Sequence, residues 1–218
     1  MLDLHRALAT RYRVAATIAA GCGLRQGEVF GLAVEDVEFL SRTLHVVRQI
    51  KLVRGKLIFA LPKGRKTRDI PLPETVATEL AAHIRAFPPL EIRLPWETPD
   101  GKPTTARLLL YSREHKALDR HHFNAYVWKT ALAAAGIEPS RANGMHALRH
   151  FYASVLLDAG ESIKALSEYL GHSDPGFTLR TYTHLLPTSE QRTRQAVDRA
   201  LTGGAATADG LPAAQERG

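Results

Sequence analysis

Three short runs of strand-forming residues lie between longer segments with helical spacing, and this order limits the fold more than any other feature. The runs span 43–53, 56–61 and 68–73, and turns separate them at Arg54-Gly55-Lys56 and in "PKGRKT". Runs joined by such short turns pair most simply in antiparallel directions. The sequence therefore predicts one small three-stranded antiparallel sheet.

Apolar residues recur at helical spacing on both sides of these runs. The first helix ends at "GCG". Asn143 is the predicted N-cap of the helix expected over 144–160. Residues 88–120 are proline-rich and irregular, with one strand candidate at 107–112. Helices are predicted over 4–20, 26–32, 74–87, 120–135 and 144–160, and near 162–170, 176–184 and 188–201. The predicted fold class is therefore α+β, predominantly helical, with helices around the small sheet.

Composition narrows the class of protein. The 218 residues suit one domain, expected over 1–202, followed by a tail at 203–218 without apolar periodicity that is expected to be disordered. A single cysteine, Cys22, excludes an internal disulfide and a cysteine-built metal site, and it suits a reducing cytoplasm. No apolar run is long enough to cross a bilayer, and the N-terminus is too charged for a signal peptide. The net charge of +7 indicates a polyanionic partner, nucleic acid before a membrane surface.

The helix at 144–160 carries an unusual polar group on an apolar face. His146, Arg149 and His150 share one side of the helix. Arginine is rarely buried unpaired, so Arg149 needs an anion, either a structural carboxylate or a phosphate. The spacing of the two histidines is typical of metalloprotease helices, but Ala147 stands where the required glutamate would be, so no metal site is predicted. His150 has a second interpretation as a core histidine bonded to the backbone.

The apolar side chains of this helix are expected to attach it to the core. They include Leu148, Val155 and Leu156. Tyr152 on the same helix, and Tyr169 on the next, are also interpreted as core residues.

Two further segments place cations where an anion could bind. Arg25 lies between "GCG" and a new helix, where free N–H groups favour anions, although an ion pair with Glu28 is the simpler interpretation. The run "PKGRKTRDIPL" is predicted to form a hairpin turn with four basic residues, which are either solvated or able to contact an anion and donate a proton. Those residues are Lys63, Arg65, Lys66 and Arg68.

The segment "EYLGHSDPGFTLRTYTHLLP" contains the remaining candidates. His172 follows a glycine that ends a helix, and Tyr182 lies ten residues later. Tyr182 stands on a short segment between Gly176 and Pro187, where exposure is expected.

Together these segments resemble the catalytic domain of tyrosine recombinases, the phage integrase family. "GLRQGEVFGL" resembles the first arginine box, and "KGRKTRDIPL" the hairpin lysine segment. "HALRHFYASVLLDAG" resembles the His-x-x-Arg box, and "LGHSDPGFTLRTYTHLLP" the box with the second histidine and the tyrosine. The four segments occur in the family's order over most of residues 20–187. Beyond these four segments, the sequence as a whole resembles integrases of actinobacterial mobile elements.

The resemblance implies a role for each candidate. Arg25 and Arg149 would hold the scissile phosphate, and Tyr182 would be the nucleophile. Lys63 would be the general acid, with Lys66 as the alternative. His146 and His172 would donate hydrogen bonds or transfer protons, and His150 would support them. Arg65, Lys66 and Arg68 would bind DNA.

The implied function is site-specific DNA recombination for a mobile element, through a 3′-phosphotyrosine intermediate and without a metal or cofactor. The alternatives are a tyrosine-type topoisomerase and a non-catalytic DNA-binding or assembly module. The implied partners are double-stranded DNA attachment sites and a directionality or host accessory factor. The protein is expected to form a homo-tetramer on paired sites. The implied location is the bacterial cytoplasm, at the nucleoid, and no membrane partner is expected.

The resemblance also implies features outside the four segments. Arg25 comes early in the chain, so the family's N-terminal core-binding and arm-binding domains are expected to be absent. The segment after Tyr182 resembles the C-terminal helix that family members dock on a neighbouring protomer, and it could instead fold back in cis.

Overall fold

The computed structural model describes residues 2–172 and 174–182, together with Arg194 and Val197. The chain divides into two units, 1–185 and 186–218. In the second unit, Arg194 and Val197 are helical and exposed.

Three helices form the N-terminal part, α1 (Leu2–Ala7), α2 (Thr10–Cys22) and α3 (Gln26–Gly31). The single helix predicted over 4–20 is therefore divided, whereas the short helix predicted over 26–32 is confirmed. Helix α2 ends at Gly23, which has a left-handed φ of +65°. A Cβ atom at Gly23 would lie 2.4 Å from the Tyr152 ring, so both the turn and the close packing require glycine.

The strands form three small sheets rather than one. They are β1 (Val37–Glu38), β2 (Thr43–Val46), β3 (Gln49–Val53), β4 (Lys56–Ala60), β5 (Arg68–Pro71), β6 (Leu90–Pro95) and β7 (Pro103–Leu108). The sheet orders are β1-β2-β5, β3-β4 and β6-β7, and every pairing is antiparallel. The predicted first run is thus two strands that enter different sheets. The turn at Arg54 and Gly55 joins β3 to β4 as predicted.

Two predictions about this region were wrong. The "PKGRKT" segment does not close a hairpin, because β4 pairs with β3 whereas β5 pairs with β2. Residues 88–120 contain a complete hairpin, in which Leu90 pairs with Leu108 and Pro95 with Pro103. Proline is tolerated here because Pro95 and Pro103 lie at the end of the ladder between the two strands.

Helices complete the unit. They are α4 (Glu74–Ala86), α5 (Arg120–His122), a π-helical turn (Phe123–Trp128), α6 (Lys129–Ala134), α7 (His146–Asp158), α8 (Ile163–Leu170) and α9 (Pro175–Tyr182). A 3₁₀ turn (Val34–Asp36) precedes β1. The predicted cap at Asn143 was wrong, since Met145 precedes α7 and the Asn143 amide donates to the Glu138 carbonyl.

Most buried apolar residues belong to one core around α2, and a smaller cluster joins α7, α8 and α9. Leu148 and Tyr152 are buried and attach α7 to these clusters, while Tyr169 and Leu156 are half-buried beside the smaller one. Val155 does not hold the helix to the core as expected, because it is 48% exposed.

The α+β, predominantly helical class is confirmed, with several small sheets in place of one. Within the described residues, no helix is long and apolar enough to span a bilayer.

Candidate active site

One pocket of about 340 Å³ brings together most of the residues singled out in the sequence. Helix ends and loops around α7 form its walls. Eight of the candidates line it: Arg25, Lys63, Lys66, His146, Arg149, His150, His172 and Tyr182. Arg65 and Arg68 do not line it. Four sequence-distant segments therefore converge on one cationic cavity.

Arg149 is the most buried of these charges, with 1% of its surface exposed. Its Nη1 donates to the Gly23 carbonyl at 2.6 Å, and its Nη2 donates to the Leu170 carbonyl and lies 3.0 Å from His172 Nε2. Burial and then the charge of Arg25 lower the pKa of Arg149 to about 9, so it stays charged at neutral pH. Among the described residues it has no carboxylate within ion-pair distance. Three of its five N–H donors are used, which leaves the Nε–H and one Nη1–H for further acceptors.

Arg25 is fixed at the start of α3 by a buried carboxylate. Its Nη1 lies 3.1 Å from Glu28 Oε1, and its backbone N–H donates to Glu28 Oε2 at 3.0 Å. The simpler interpretation of Arg25, an ion pair with Glu28, is therefore present, and Arg25 lines the pocket as well. Burial alone would raise the pKa of Glu28, but the hydrogen bonds and charges of Arg68 and Arg25 hold it below its usual range.

Arg68 corrects a prediction. Sequence reasoning grouped it with the DNA-binding side chains, yet its side chain is 7% exposed. It binds Glu28 with both Nη atoms, at 3.1 and 2.6 Å, and its Nε donates to the Tyr169 carbonyl at 2.7 Å. Arg68 thus connects β5 to α3 and to the end of α8, and its Nε and both Nη atoms are engaged in these contacts.

The other three basic residues occupy the loop between β4 and β5. Lys63 and Lys66 are exposed at the pocket, and Gly64 between them has φ +87°. Arg65 points elsewhere, since its Nη1 lies 2.7 Å from Glu97 Oε2 on the loop after β6.

His172 is held on both ring nitrogens. Its Nδ1 lies 2.7 Å from Thr178 Oγ1, and its Nε2 lies 3.0 Å from Arg149 Nη2. Burial, followed by the charge of Arg149, lowers the pKa of His172 to about 4. The imidazole is therefore neutral at pH 7. Sequence reasoning missed Thr178, although its position four residues before Tyr182 places both on one helical face.

Tyr182 contradicts the expectation of an exposed tyrosine, because only 2% of its surface is exposed. It lies at the end of α9, lines the pocket, and belongs to the smaller apolar cluster. Desolvation raises the pKa of its phenol, and the charges of Arg149 and Arg25 oppose that rise.

The two histidines of α7 lie at the mouth of the pocket, where both are exposed. Their rings meet edge to face at 4.8 Å, and the His150 ring lies 5.5 Å from that of Tyr182. Desolvation, then the charges of His150 and Arg149, lower the pKa of His146. His150 is therefore not a core histidine.

Within the described part of the chain, no cluster of three His, Cys, Asp or Glu side chains is arranged to hold a metal ion. The predicted helix at 188–201, the segment after Tyr182 and the tail at 203–218 lie outside the described residues, apart from Arg194 and Val197.

The sequence is similar to known proteins along most of its length. The profile described as "Phage integrase family" matches residues 1–189. A tyrosine recombinase XerC-like protein of Caldanaerobacter subterraneus subsp. tengcongensis is 31% identical over 180 residues, which cover 78% of this chain and 44% of that protein. Tyrosine recombinase XerC of Mycobacterium sp. (strain KMS) is 30% identical over 178 residues, covering 82% of this chain and 50% of that protein. The chain thus spans about half the length of the curated relatives it matches.

Solved structures show the same fold. The Tn1549 transposon integrase in complex with circular intermediate DNA superposes with a TM-score of 0.68 at 24% identity, covering 87% of this chain and 59% of that one. The catalytic domain of bacteriophage HP1 integrase superposes with a TM-score of 0.56 at 21% identity, covering 94% of this chain and 95% of that one. The expected tyrosine recombinase catalytic fold is confirmed.

Proposed function

Because the chain belongs to the phage integrase family, we propose that it cuts and rejoins DNA through Tyr182 as the catalytic domain of a site-specific recombinase. The observation that carries this proposal is the pocket itself. A buried arginine without a carboxylate partner among the described residues shares one cavity with a second arginine, a tyrosine, two lysines and three histidines.

The first role is binding of the scissile phosphate. Arg149 has two N–H donors left, and Arg25 is aimed into the same pocket. Two guanidinium groups neutralise the non-bridging oxygens and the charge that grows on them in the transition state. Each preorganised donor of this kind contributes roughly 3–4 kcal/mol in enzymes where it has been removed.

The second role is the transfer itself. Tyr182 Oη forms a bond to phosphorus as the bond from phosphorus to the 5′ oxygen breaks. The phenol proton passes to the imidazole of His146, whose lowered pKa favours its neutral form, or to solvent. The leaving oxygen takes a proton from Lys63, with Lys66 as the rival donor.

The product is a 3′-phosphotyrosine that keeps the phosphodiester bond energy. When a 5′ hydroxyl of a second strand attacks, its proton returns to the lysine, and Tyr182 leaves and recovers a proton. Joining therefore consumes no nucleotide cofactor. His150 contacts the Tyr182 ring and has a supporting role.

The substrate follows from the family and the charge. The net charge of +7 and the cationic pocket fit double-stranded DNA, and the Tn1549 integrase was solved in complex with DNA. We further propose that the DNA substrates are attachment sites of a mobile element and that the protein binds paired sites as a tetramer, together with an accessory factor. The protein would act at the nucleoid in the cytoplasm, and its catalytic domain would span residues 1–202. A topoisomerase or a non-catalytic module is not favoured, since the matched relatives carry the name tyrosine recombinase.

The test is capture of the covalent intermediate. The chain is incubated with nicked duplexes of randomised sequence, so that no attachment site need be known, and products are separated on denaturing gels. A protein–DNA adduct should form with the wild-type chain and vanish with Tyr182→Phe. Tyr126→Phe is the matched control, because Tyr126 is 69% exposed and lies outside the pocket. An adduct that persists in Tyr182→Phe would refute the assigned nucleophile, and no adduct with any DNA would refute cleavage by this chain.

A further inference from the structure

The loop that carries the two pocket lysines is exposed and bears like charges. This lysine loop, residues 61–67, connects β4 to β5, and Lys63 and Lys66 on it lie exposed at the pocket. Gly64 and Arg65 between them have left-handed φ values of +87° and +58°. The pocket already contains two arginines, so repulsion between cations favours movement of the loop away from it. A contact outside the pocket would offset this repulsion.

Glu97 supplies such a contact from the turn between β6 and β7. Its Oε1 accepts a hydrogen bond from the Leu61 N–H at 3.3 Å, and its Oε2 lies 2.7 Å from Arg65 Nη1. The Leu61 N–H and then Arg65 lower the pKa of Glu97, so the carboxylate is ionised at neutral pH. Within the described residues, the pair of Arg65 with Glu97 is the only hydrogen bond or ion pair that connects residues 63–67 to another element. One carboxylate thus binds both the start and the middle of the lysine loop.

The turn that presents Glu97 is tightly bonded and strained. The Thr98 N–H donates to the Trp96 carbonyl at 2.8 Å, which makes Glu97 the centre of a γ-turn with φ +66°. The Glu97 N–H donates to the Phe59 carbonyl of β4 at 2.7 Å, and a Cβ atom at Gly101 would lie 1.9 Å from the Trp96 carbonyl oxygen. Such backbone strain persists where the surrounding structure determines it, and it clusters at functional sites. The β6–β7 hairpin therefore contacts β4 and directs a carboxylate at the lysine loop.

We propose that Glu97 is a positioning residue that holds the lysine loop at the pocket, so that Lys63 and Lys66 stay within reach of the leaving oxygen. The proposal rests on the proposed function only for its catalytic consequence. Glu97 acts through Leu61 and Arg65 and does not itself touch DNA. An exposed ion pair contributes little to overall stability, so its loss should release the loop without unfolding the protein.

Trypsin measures release of the loop in the DNA-free chain, because it cuts after Lys63 and Lys66. Glu97→Gln keeps the size of the side chain but leaves one acceptor oxygen for two donors. Cleavage after the two lysines, followed by mass spectrometry, should be several-fold faster than in wild type, at an unchanged melting temperature. Asp100→Asn is the matched control, since Asp100 lies in the same turn and pairs instead with Lys56 at 3.5 Å. Equal cleavage rates in Glu97→Gln and wild type would overturn the proposal.

The catalytic consequence is measured on DNA of a sequence recovered from captured adducts. A general acid contributes about 10²–10⁴-fold to a rate, and we expect its displacement to slow adduct formation about 10- to 100-fold in Glu97→Gln. A second substrate has sulfur in place of the 5′ oxygen at the cleaved bond. Thiols are far more acidic than alcohols, so a thiolate leaves without a proton and Glu97→Gln should react at the wild-type rate. A defect that persists with sulfur would refute the positioning role.

Arg65 provides an independent check at saturating DNA. Arg65→Gln removes the same ion pair and should slow adduct formation to a similar degree. The double variant with Glu97→Gln should be no slower, because both changes break one contact. Additive losses would show that the two residues act separately, against the proposal. If even the wild-type chain forms no adduct, the proposed function fails, and trypsin cleavage still decides whether Glu97 holds the loop.

Discussion

Replacing Arg68 by methionine separates a structural arginine from a DNA-binding one. The change keeps most of the side chain's volume and removes its charge. Glu28, with 1% of its surface exposed, then loses the guanidinium that binds both of its oxygens. Removing one partner of a buried ion pair costs roughly 3–5 kcal/mol. The low end of that range applies, because Arg25 still lies 3.1 Å from Glu28.

A loss of about 3 kcal/mol lowers the melting temperature by about 6–12 °C in a chain of this size. The difference should also depend on pH. The pKa of Glu28 is lowered in the folded state, so its stabilisation is present above the unfolded carboxylate pKa and is lost as pH falls through the folded pKa. The melting temperatures of wild type and Arg68→Met should therefore differ most at pH 7 and converge in acid. Calorimetry at several pH values measures this.

The salt dependence of DNA binding tests whether Arg68 also contacts a phosphate. Each phosphate contact that is lost reduces the slope of log K against log salt by about 0.9. Arg68→Met should leave that slope unchanged, measured below the variant's melting temperature, whereas Lys66→Ala at the exposed pocket rim should reduce it. A lower slope together with an unchanged melting temperature in Arg68→Met would refute the reasoning and restore the original prediction that Arg68 binds DNA.

Two further changes test the geometry around Arg149. Arg149→Lys keeps a charge but loses the fork and its two carbonyl bonds, so adduct formation should fall by about 10²–10³-fold. Near wild-type cleavage would mean that Arg149 has only a structural role. Gly23→Ala forces a side chain into a left-handed φ of +65° and to within 2.4 Å of the Tyr152 ring, and it should destabilise the fold by about 2–4 kcal/mol in chemical denaturation. An unchanged midpoint would show that the backbone relaxes at no cost.

The sequence predicted which residues line the pocket better than it predicted how buried each one is and what it contacts. Arg149, His172 and Tyr182 fall in short local patterns, and the family resemblance implied their roles. Their burial depends on contacts with distant residues. Arg149 is covered by the end of α2, more than a hundred residues earlier, and no local pattern reports that contact.

Arg68 shows the same limit most clearly. It follows Lys66 by two residues in one basic run, yet Lys66 is exposed and only 7% of the Arg68 side chain is exposed. The difference arises because Arg68 begins β5 and meets Glu28, forty residues earlier in the chain. Charge count cannot distinguish the two, since both are cations beside a turn.

The missed hairpin was a different kind of error, because its signal was present. Leu90, Ile92 and Leu94 alternate with Glu91 and Arg93, which is the period of a half-exposed strand. The prolines at its ends suggested irregular structure instead. Proline is compatible with the end of a strand, so the alternation was the stronger signal.

The way Arg149 is held explains why a buried arginine leaves the pocket positively charged. Its two carbonyl partners lie at the C-terminal ends of α2 and α8, and each helix is closed by a glycine with positive φ, Gly23 and Gly171. Carbonyls at a helix C-terminus carry partial negative charge, so they stabilise a buried guanidinium. They satisfy its hydrogen bonds without cancelling its charge, whereas a carboxylate would do both. The full positive charge therefore remains for an anion that enters the pocket, and this is the property that binding a scissile phosphate requires.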